Sequence, residues 1–174
     1  MVAENAKYTV EELVEHLAGE SAEGVPSRGS EVFVKAQCVK CHRFDGKGES
    51  FGPDLSTIGN RFTRKELVES IVHPSHIISS QYASKTIKTT DGRQLTGLVG
   101  NGAAGETVVM LPTAERVTLT AKQIEATKPS KLSAMPDGLL DPLSLEEVSD
   151  LFAYLQKTNK ATSLTRRPIE STPK

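Results

Sequence analysis

The chain lacks the features of several large protein classes. It contains no tryptophan and only 5% aromatic residues, and its 21 Lys and Arg nearly balance its 22 Asp and Glu. This balance argues against a general nucleic-acid binder, which usually carries a basic excess. No run of 18 apolar residues occurs, so we expect no membrane span. Two cysteines in 174 residues exclude a disulfide framework.

The N-terminus and the charge distribution bear on location and partners. The first residues have neither a basic region nor an apolar stretch, so no signal peptide is visible. If the protein works outside the cytoplasm, we expect the chain to be a mature form or an excised piece. Residues 1–31 carry a net charge of −5 and residues 35–65 a net charge of +4. These segments are interpreted either as two solvated faces or as a basic collar that steers an acidic partner.

Four helices are predicted from capping signals and apolar periodicity. Capping boxes begin at Thr9, Thr63 and Ser144. A further helix is expected to begin at Ser27 and to run to about Lys40.

Between residues 82 and 128 the apolar period changes to two, and Asp91-Gly92 is a hairpin signal. The pattern predicts a small antiparallel meander. Its expected strands are Tyr82–Thr89, Gln94–Val99, Thr107–Leu111, Arg116–Leu119 and a fifth around Ile124.

The predicted fold is therefore mainly α, a helical domain interrupted by a small antiparallel β insertion at about 80–130. We expect an N-terminal helix and linker over 1–26, the main domain over 27–157, and a flexible C-terminal tail over 158–174.

The two cysteines stand in the sequence Cys38-Val39-Lys40-Cys41-His42, which is the pattern of covalent c-type haem attachment. Two thiols at this spacing can form thioethers with both haem vinyl groups and direct His42 to the iron. A zinc site would need a second ligand pair, which the sequence lacks. A thioredoxin-like dithiol would follow a strand, whereas a helix is predicted here.

Further segments resemble class I cytochrome c, and more closely the haem-binding cytochrome c domain of planctomycete and verrucomicrobial bacteria. The resemblance covers residues 27 to 157. The matching segments are 34–42, Gly52-Pro53-Asp54-Leu55, His73-Pro74-Ser75, Asp91-Gly92-Arg93 and Ser133-Ala134-Met135-Pro136-Asp137-Gly138-Leu139.

The resemblance implies a helical haem fold and several cofactor-binding residues besides Cys38 and Cys41. Pro53 is expected to offer its carbonyl to the ring N–H of His42, and Arg61 to pair with a haem propionate. Candidate haem-packing residues are Phe33, Leu55, Ile58, Leu67, Ile71, Leu139 and Phe152.

The second axial ligand separates a carrier from a catalyst. Met135 is favoured because it lies in a Pro-containing loop, where it cannot serve as an ordinary helix or strand core residue. The alternatives are Met110, His16, His73 and His76.

The sequence thus favours a single-electron carrier that is not an enzyme, with one covalent, low-spin haem c whose iron is bound by His42 and Met135. Alternatives are a peroxidase-like enzyme or gas sensor with a labile distal ligand, an electron-transfer module of a larger dehydrogenase, and a binding module that uses its β insertion. Expected partners are redox proteins, with a dehydrogenase domain or an oxidase as candidates. Haem attachment of this kind implies a periplasmic or otherwise extracytoplasmic location.

Overall fold

The computed structural model describes residues 6–19 and 23–157, which form a mixed α and β fold. Within these residues 36% are helical and 21% are in strands, with four α-helices and a five-stranded antiparallel sheet. The expectation of a mainly α protein with a small β insertion is therefore wrong. The helices are only 9 to 11 residues long, and the sheet is large enough to enclose an apolar core of its own.

The α-helices begin at the predicted signals in three of four cases. Capping boxes at Thr9, Thr63 and Ser144 are present, each closed by a Glu at the third helical position. Those three predictions are confirmed. The helices are α1 Val10–Ala18, α2 Pro26–Lys35, α3 Arg64–Val72 and α4 Leu145–Leu155.

Helix α2 differs from its prediction at both ends. It starts at Pro26, with Val25 as the N-cap and no side-chain cap, because the fixed φ of proline suits the first helical position. It ends at Lys35 rather than near Lys40, since Gln37 adopts a left-handed conformation with φ 62°. The cysteine motif consequently follows the helix instead of forming its last turn.

The strands form two antiparallel sheets. The strands are β1 Arg43–Phe44, β2 Lys47–Gly48, β3 Lys85–Thr89, β4 Gln94–Asn101, β5 Thr107–Met110, β6 Arg116–Leu119 and β7 Ile124–Pro129. Strands β1 and β2 form a two-stranded hairpin, and the larger sheet has the order β6-β5-β4-β3-β7.

The larger sheet has two chemically different faces. Val99, Val109 and Val117 are paired across β4, β5 and β6, so their side chains share one face. This face holds the sheet's own core around the fully buried Val109. Leu98, Met110 and Arg116 are also in register and therefore lie on the opposite face.

The helices surround a second core in which α2 packs against α4. Gly29 permits this close approach, because a Cβ there would lie 2.0 Å from the carbonyl oxygen of Asp150. Helix α1 contributes the buried Leu13 and Leu17 to the same core. Three aromatic rings fill its centre, with Phe44 and Tyr154 4.5 Å apart between centroids.

A buried carboxylate ties α2 to α4. Asp150 is 2% exposed and accepts hydrogen bonds from the backbone N–H of Val25 and from the guanidinium of Arg28. These bonds lower the pKa of Asp150, with the Arg28 bond as the main cause.

Among the described residues, no helix has the length and apolar character that crossing a bilayer requires. The predicted tail over 158–174 lies outside the described part of the chain.

Candidate haem-binding site

The cysteine motif forms a tight turn directly after α2. The left-handed Gln37 reverses the chain, and Cys38–Lys40 make a 3-10 turn. The carbonyl oxygen of Cys38 accepts hydrogen bonds from the backbone N–H groups of Cys41 and His42. The turn therefore holds both cysteines and the histidine in one small, backbone-bonded unit.

Both cysteine thiols are partly buried and are not joined in a disulfide. Burial raises the pKa of Cys38 to about 11. Burial also raises the pKa of Cys41, against the opposing charges of Lys40 and Arg116. A redox-active Cys-x-x-Cys pair would instead have a lowered thiol pKa, so this environment does not favour the dithiol interpretation.

The imidazole of His42 is fixed by a backbone carbonyl. Its Nδ1 lies 2.9 Å from the carbonyl oxygen of Pro53. Because a carbonyl only accepts hydrogen bonds, Nδ1 must carry the proton, and the lone pair is left on Nε2. Burial lowers the pKa of His42, which favours the neutral ring that can ligate a metal.

An apolar cavity of about 450 Å³ adjoins this unit. Its walls include Cys38, Cys41, His42 and Pro53, together with the loop that contains Met135. No Asp, Glu, Lys or Arg is among the described residues that line it.

Gly52 allows the His42 ring to lie against the cavity wall. A Cβ at this position would be 2.9 Å from Cε1 and 3.0 Å from Nδ1 of His42. The backbone N–H of Gly52 donates to the carbonyl oxygen of Cys41 at 2.8 Å. The glycine is therefore both pinned to the cysteine turn and required to be small.

Of the five candidates for a second axial ligand, only Met135 lines the cavity that contains His42. Two hydrogen bonds anchor its loop. The backbone N–H of Met135 donates to Ser133 Oγ, and the backbone N–H of Ser133 donates to Ser75 Oγ. Met110 is 1% exposed on the sheet and does not line the cavity.

The three candidate histidines lie elsewhere. His16 contacts Ser149 Oγ at 2.8 Å between α1 and α4. His73 is the C-cap of α3, and His76 is exposed in the following turn.

Of the other residues predicted to contact the cofactor, Leu139 lines this cavity and the rest do not. Phe33, Leu67 and Phe152 are buried in the helical core, and Leu55, Ile58 and Ile71 pack against it. The guanidinium of Arg61 lies over the ring of Phe62 at the surface, 5.7 Å from its centroid.

Sequence reasoning missed the part of the cavity wall that the sheet provides. Leu98 of β4 lines the cavity, together with Pro112 and Ala114 of the turn between β5 and β6. The strand pattern contains one hint, because Leu98 alternates out of phase with Leu95 and Val99. An apolar residue on both faces of a strand indicates that both faces are covered.

The cavity is thus bordered by a histidine with a free Nε2 and by two partly buried thiols. The cytochrome c family model matches residues 26–159, so the chain belongs to the cytochrome c family. It is a c-type cytochrome, an electron carrier whose cofactor is covalently bound haem c with its iron. A search of curated proteins finds none that matches the chain.

The residues present fit this cofactor. The two cysteines and His42 border one cavity, and Gly52 leaves open the space beside the imidazole that a Cβ would occupy. Cytochrome c domains are typically extracytoplasmic and exchange electrons with redox proteins.

Proposed function

We propose that the chain is a single-haem electron carrier in which Cys38 and Cys41 hold the cofactor and His42 and Met135 are the axial ligands. The observation that carries the proposal is that all four side chains border one apolar cavity. When bound, haem c supplies a one-electron ferric and ferrous couple.

His42 is the proximal ligand in this proposal. Its Nδ1–H bond to Pro53 at 2.9 Å fixes both the tautomer and the ring orientation, and it makes Nε2 more basic. The tight turn from Cys38 to Cys41 places the imidazole beside the attachment points.

Met135 is the second axial ligand in this proposal. A thioether is a soft, neutral ligand that favours the reduced metal and raises the potential. The two serine bonds that anchor its loop limit the reorganisation that accompanies each electron.

A carrier is favoured over a peroxidase-like enzyme by the lining of the cavity. A peroxidase needs an acid or base and a charged stabiliser close to the reacting atoms. Among the described residues that line the cavity, none carries the charged side chain of Asp, Glu, Lys or Arg. The acid or base groups there besides the thiols are Tyr82 and His42, and His42 is committed to Pro53.

We propose that the haem domain spans residues 27–157 and that the protein functions in the periplasm. Attachment through two cysteines takes place in that oxidising compartment. Helix α1 shares the helical core through Leu13 and Leu17, and we assign it a stabilising role toward the domain.

We assign partner docking to the mouth of the cavity near Met135. Ile77, which lines the cavity, is 87% exposed, and Leu132, beside the lining residue Ser133, is 62% exposed. The neighbouring segments 70–90 and 126–136 contain four lysines and no Asp or Glu, and one of the four, Lys88, is paired with Glu125 at 2.6 Å. An acidic partner with an apolar centre suits such a surface.

The basic segment 35–65 is less available for docking than its composition suggests. Lys35 is paired with Glu147 at 2.5 Å, and Arg64 donates to Gln156 and to the carbonyl of Leu17. In contrast, Lys131 forms no ion pair within the described residues and stands next to Leu132.

Two measurements on the purified protein test the proposed function. Denaturing mass spectrometry should give the chain mass plus one haem, and Cys38→Ala with Cys41→Ala should lose that increment. A spectroscopic redox titration should follow a one-electron Nernst curve. Extractable haem, two haems per chain or a two-electron curve would contradict the proposal.

A further inference from the structure

We propose that the five-stranded sheet is a cover for the haem cavity and that Arg116 is the positioning residue that holds it closed. The proposal rests on the proposed function, because the cavity is the haem site. It concerns the contact between β6 and the segment beside the cysteine motif, to which that function gives no role.

The sheet contributes a wall of the cavity through the face that is turned away from its own core. Leu98, Met110 and Arg116 share this face. Leu98 lines the cavity, and Met110 is 1% exposed although it lies outside the sheet's own apolar core. Residues outside the sheet's own core therefore cover this face.

Arg116 joins the sheet to the segment beside the cysteine motif. Its Nη2 lies 2.6 Å from Glu49 Oε2, and its guanidinium lies 4.6 Å from the centre of the Phe51 ring. The backbone N–H of Glu49 donates to the carbonyl of Val39, which stands between the two cysteines. Arg116 thus links the cover to the backbone of the attachment turn.

A cleft of about 480 Å³ lies at this boundary, lined by the segment 48–51, by part of β4 and by residues 81–83. Arg116 borders the cleft and contacts Glu49 and Phe51 on its wall. Because these contacts join β6 to the segment 48–51 beside a cleft, their loss should let the cover move.

Movement of the cover would admit water to the cavity. An apolar, dry environment disfavours the oxidised, more highly charged state of the cofactor and so raises its potential. Opening the cover should therefore lower the reduction potential.

Glu49→Ala separates this mechanism from a direct charge effect. Removal of a negative charge would by itself disfavour the oxidised state and raise the potential. Release of Arg116 predicts the opposite, a lower potential. Leu98→Ala, which changes no charge, should also lower the potential because it removes part of the wall.

Amide hydrogen exchange gives a readout that does not depend on the redox state. In Arg116→Ala, exchange of the residue-49 amide should accelerate about tenfold, the combined contribution of an exposed ion pair and a cation–π contact. In Glu49→Ala, which loses the ion pair alone, the same amide should exchange about two- to fivefold faster. Arg93→Gln is the control, because Arg93 pairs with Asp91 within the β3–β4 hairpin. It should change neither the potential nor the exchange rate.

A raised or unchanged potential in Glu49→Ala would overturn the proposal, and so would an unchanged potential in Leu98→Ala. Denaturing mass spectrometry of the same samples shows whether haem is attached. Failure of attachment and failure of the cover are therefore separate results.

Discussion

Replacement of Gly52 by alanine should disturb His42 without removing any of its atoms. The new Cβ would lie 2.9 Å from His42 Cε1, whereas carbon atoms in contact are normally about 3.5–4.0 Å apart. The Gly52 backbone is held by its 2.8 Å bond to the carbonyl of Cys41, so the ring must yield by roughly 0.6–1 Å.

The main consequence is loss of the bond between His42 and Pro53. If the ring retreats by that distance, the 2.9 Å separation of Nδ1 and the carbonyl oxygen grows to about 3.5–3.9 Å, which is too long for a hydrogen bond. We expect a cost of about 1–3 kcal/mol in the free energy of unfolding, as for other overpacked sites. The reduction potential should rise, because a less basic imidazole stabilises the oxidised iron less well.

Guanidinium unfolding and a redox titration measure the two effects. Gly100→Ala is the matched control, since a Cβ there meets nothing within 4 Å. It should leave both quantities near the wild-type values. A Gly52→Ala protein with wild-type stability and potential would refute the assigned packing of His42.

Two further predictions concern stability and docking. Asp150→Asn should lower the free energy of unfolding at pH 7 by about 1.5 kcal/mol, the low end for a bond to a charged group because Arg28 is half exposed. Since the pKa of Asp150 is lowered in the fold, its contribution is present above about pH 4 and is lost as the pH falls through the folded pKa. The gap between the unfolding curves of variant and wild type should therefore close in acid, and a gap that does not depend on pH would contradict this account. For docking, Lys131→Glu should slow electron transfer to hexacyanoferrate several-fold at low salt and speed it with a cationic cobalt complex. Lys65→Glu should change neither rate. If Lys65→Glu changed the two rates and Lys131→Glu did not, the basic segment 35–65 would be the docking surface.

Local signals in the sequence predicted the helix starts well. Thr9, Thr63 and Ser144 each precede a Glu at the third helical position, and each caps its helix as predicted. A capping box is a contact between residues three apart, so a short stretch of sequence contains all of its determinants. The hairpin at Asp91-Gly92 was predicted from a local signal of the same kind, and it is present between β3 and β4.

Features that depend on distant contacts were not predictable in the same way. Helix α2 ends where Gln37 adopts a left-handed conformation. Glycine or asparagine at that position would have indicated such a conformation, but glutamine does not. The share of the fold that the sheet forms was underestimated. Alternating apolar residues indicate a strand, but they do not indicate that five strands enclose a core. The position of Leu98 on the cavity wall depends on how the sheet packs against the helical part, and no local pattern encodes this packing.

The central claim, axial ligation by His42 and Met135, is tested most directly by the ferric absorption spectrum of three proteins. The wild type should show the weak near-red charge-transfer band of a histidine and methionine pair. Met135→Ala should lose the band, fall in potential and bind carbon monoxide when reduced. Met110→Leu should retain wild-type behaviour, because Met110 does not line the cavity. A wild-type protein without the band, or loss of the band in Met110→Leu, would contradict the assignment.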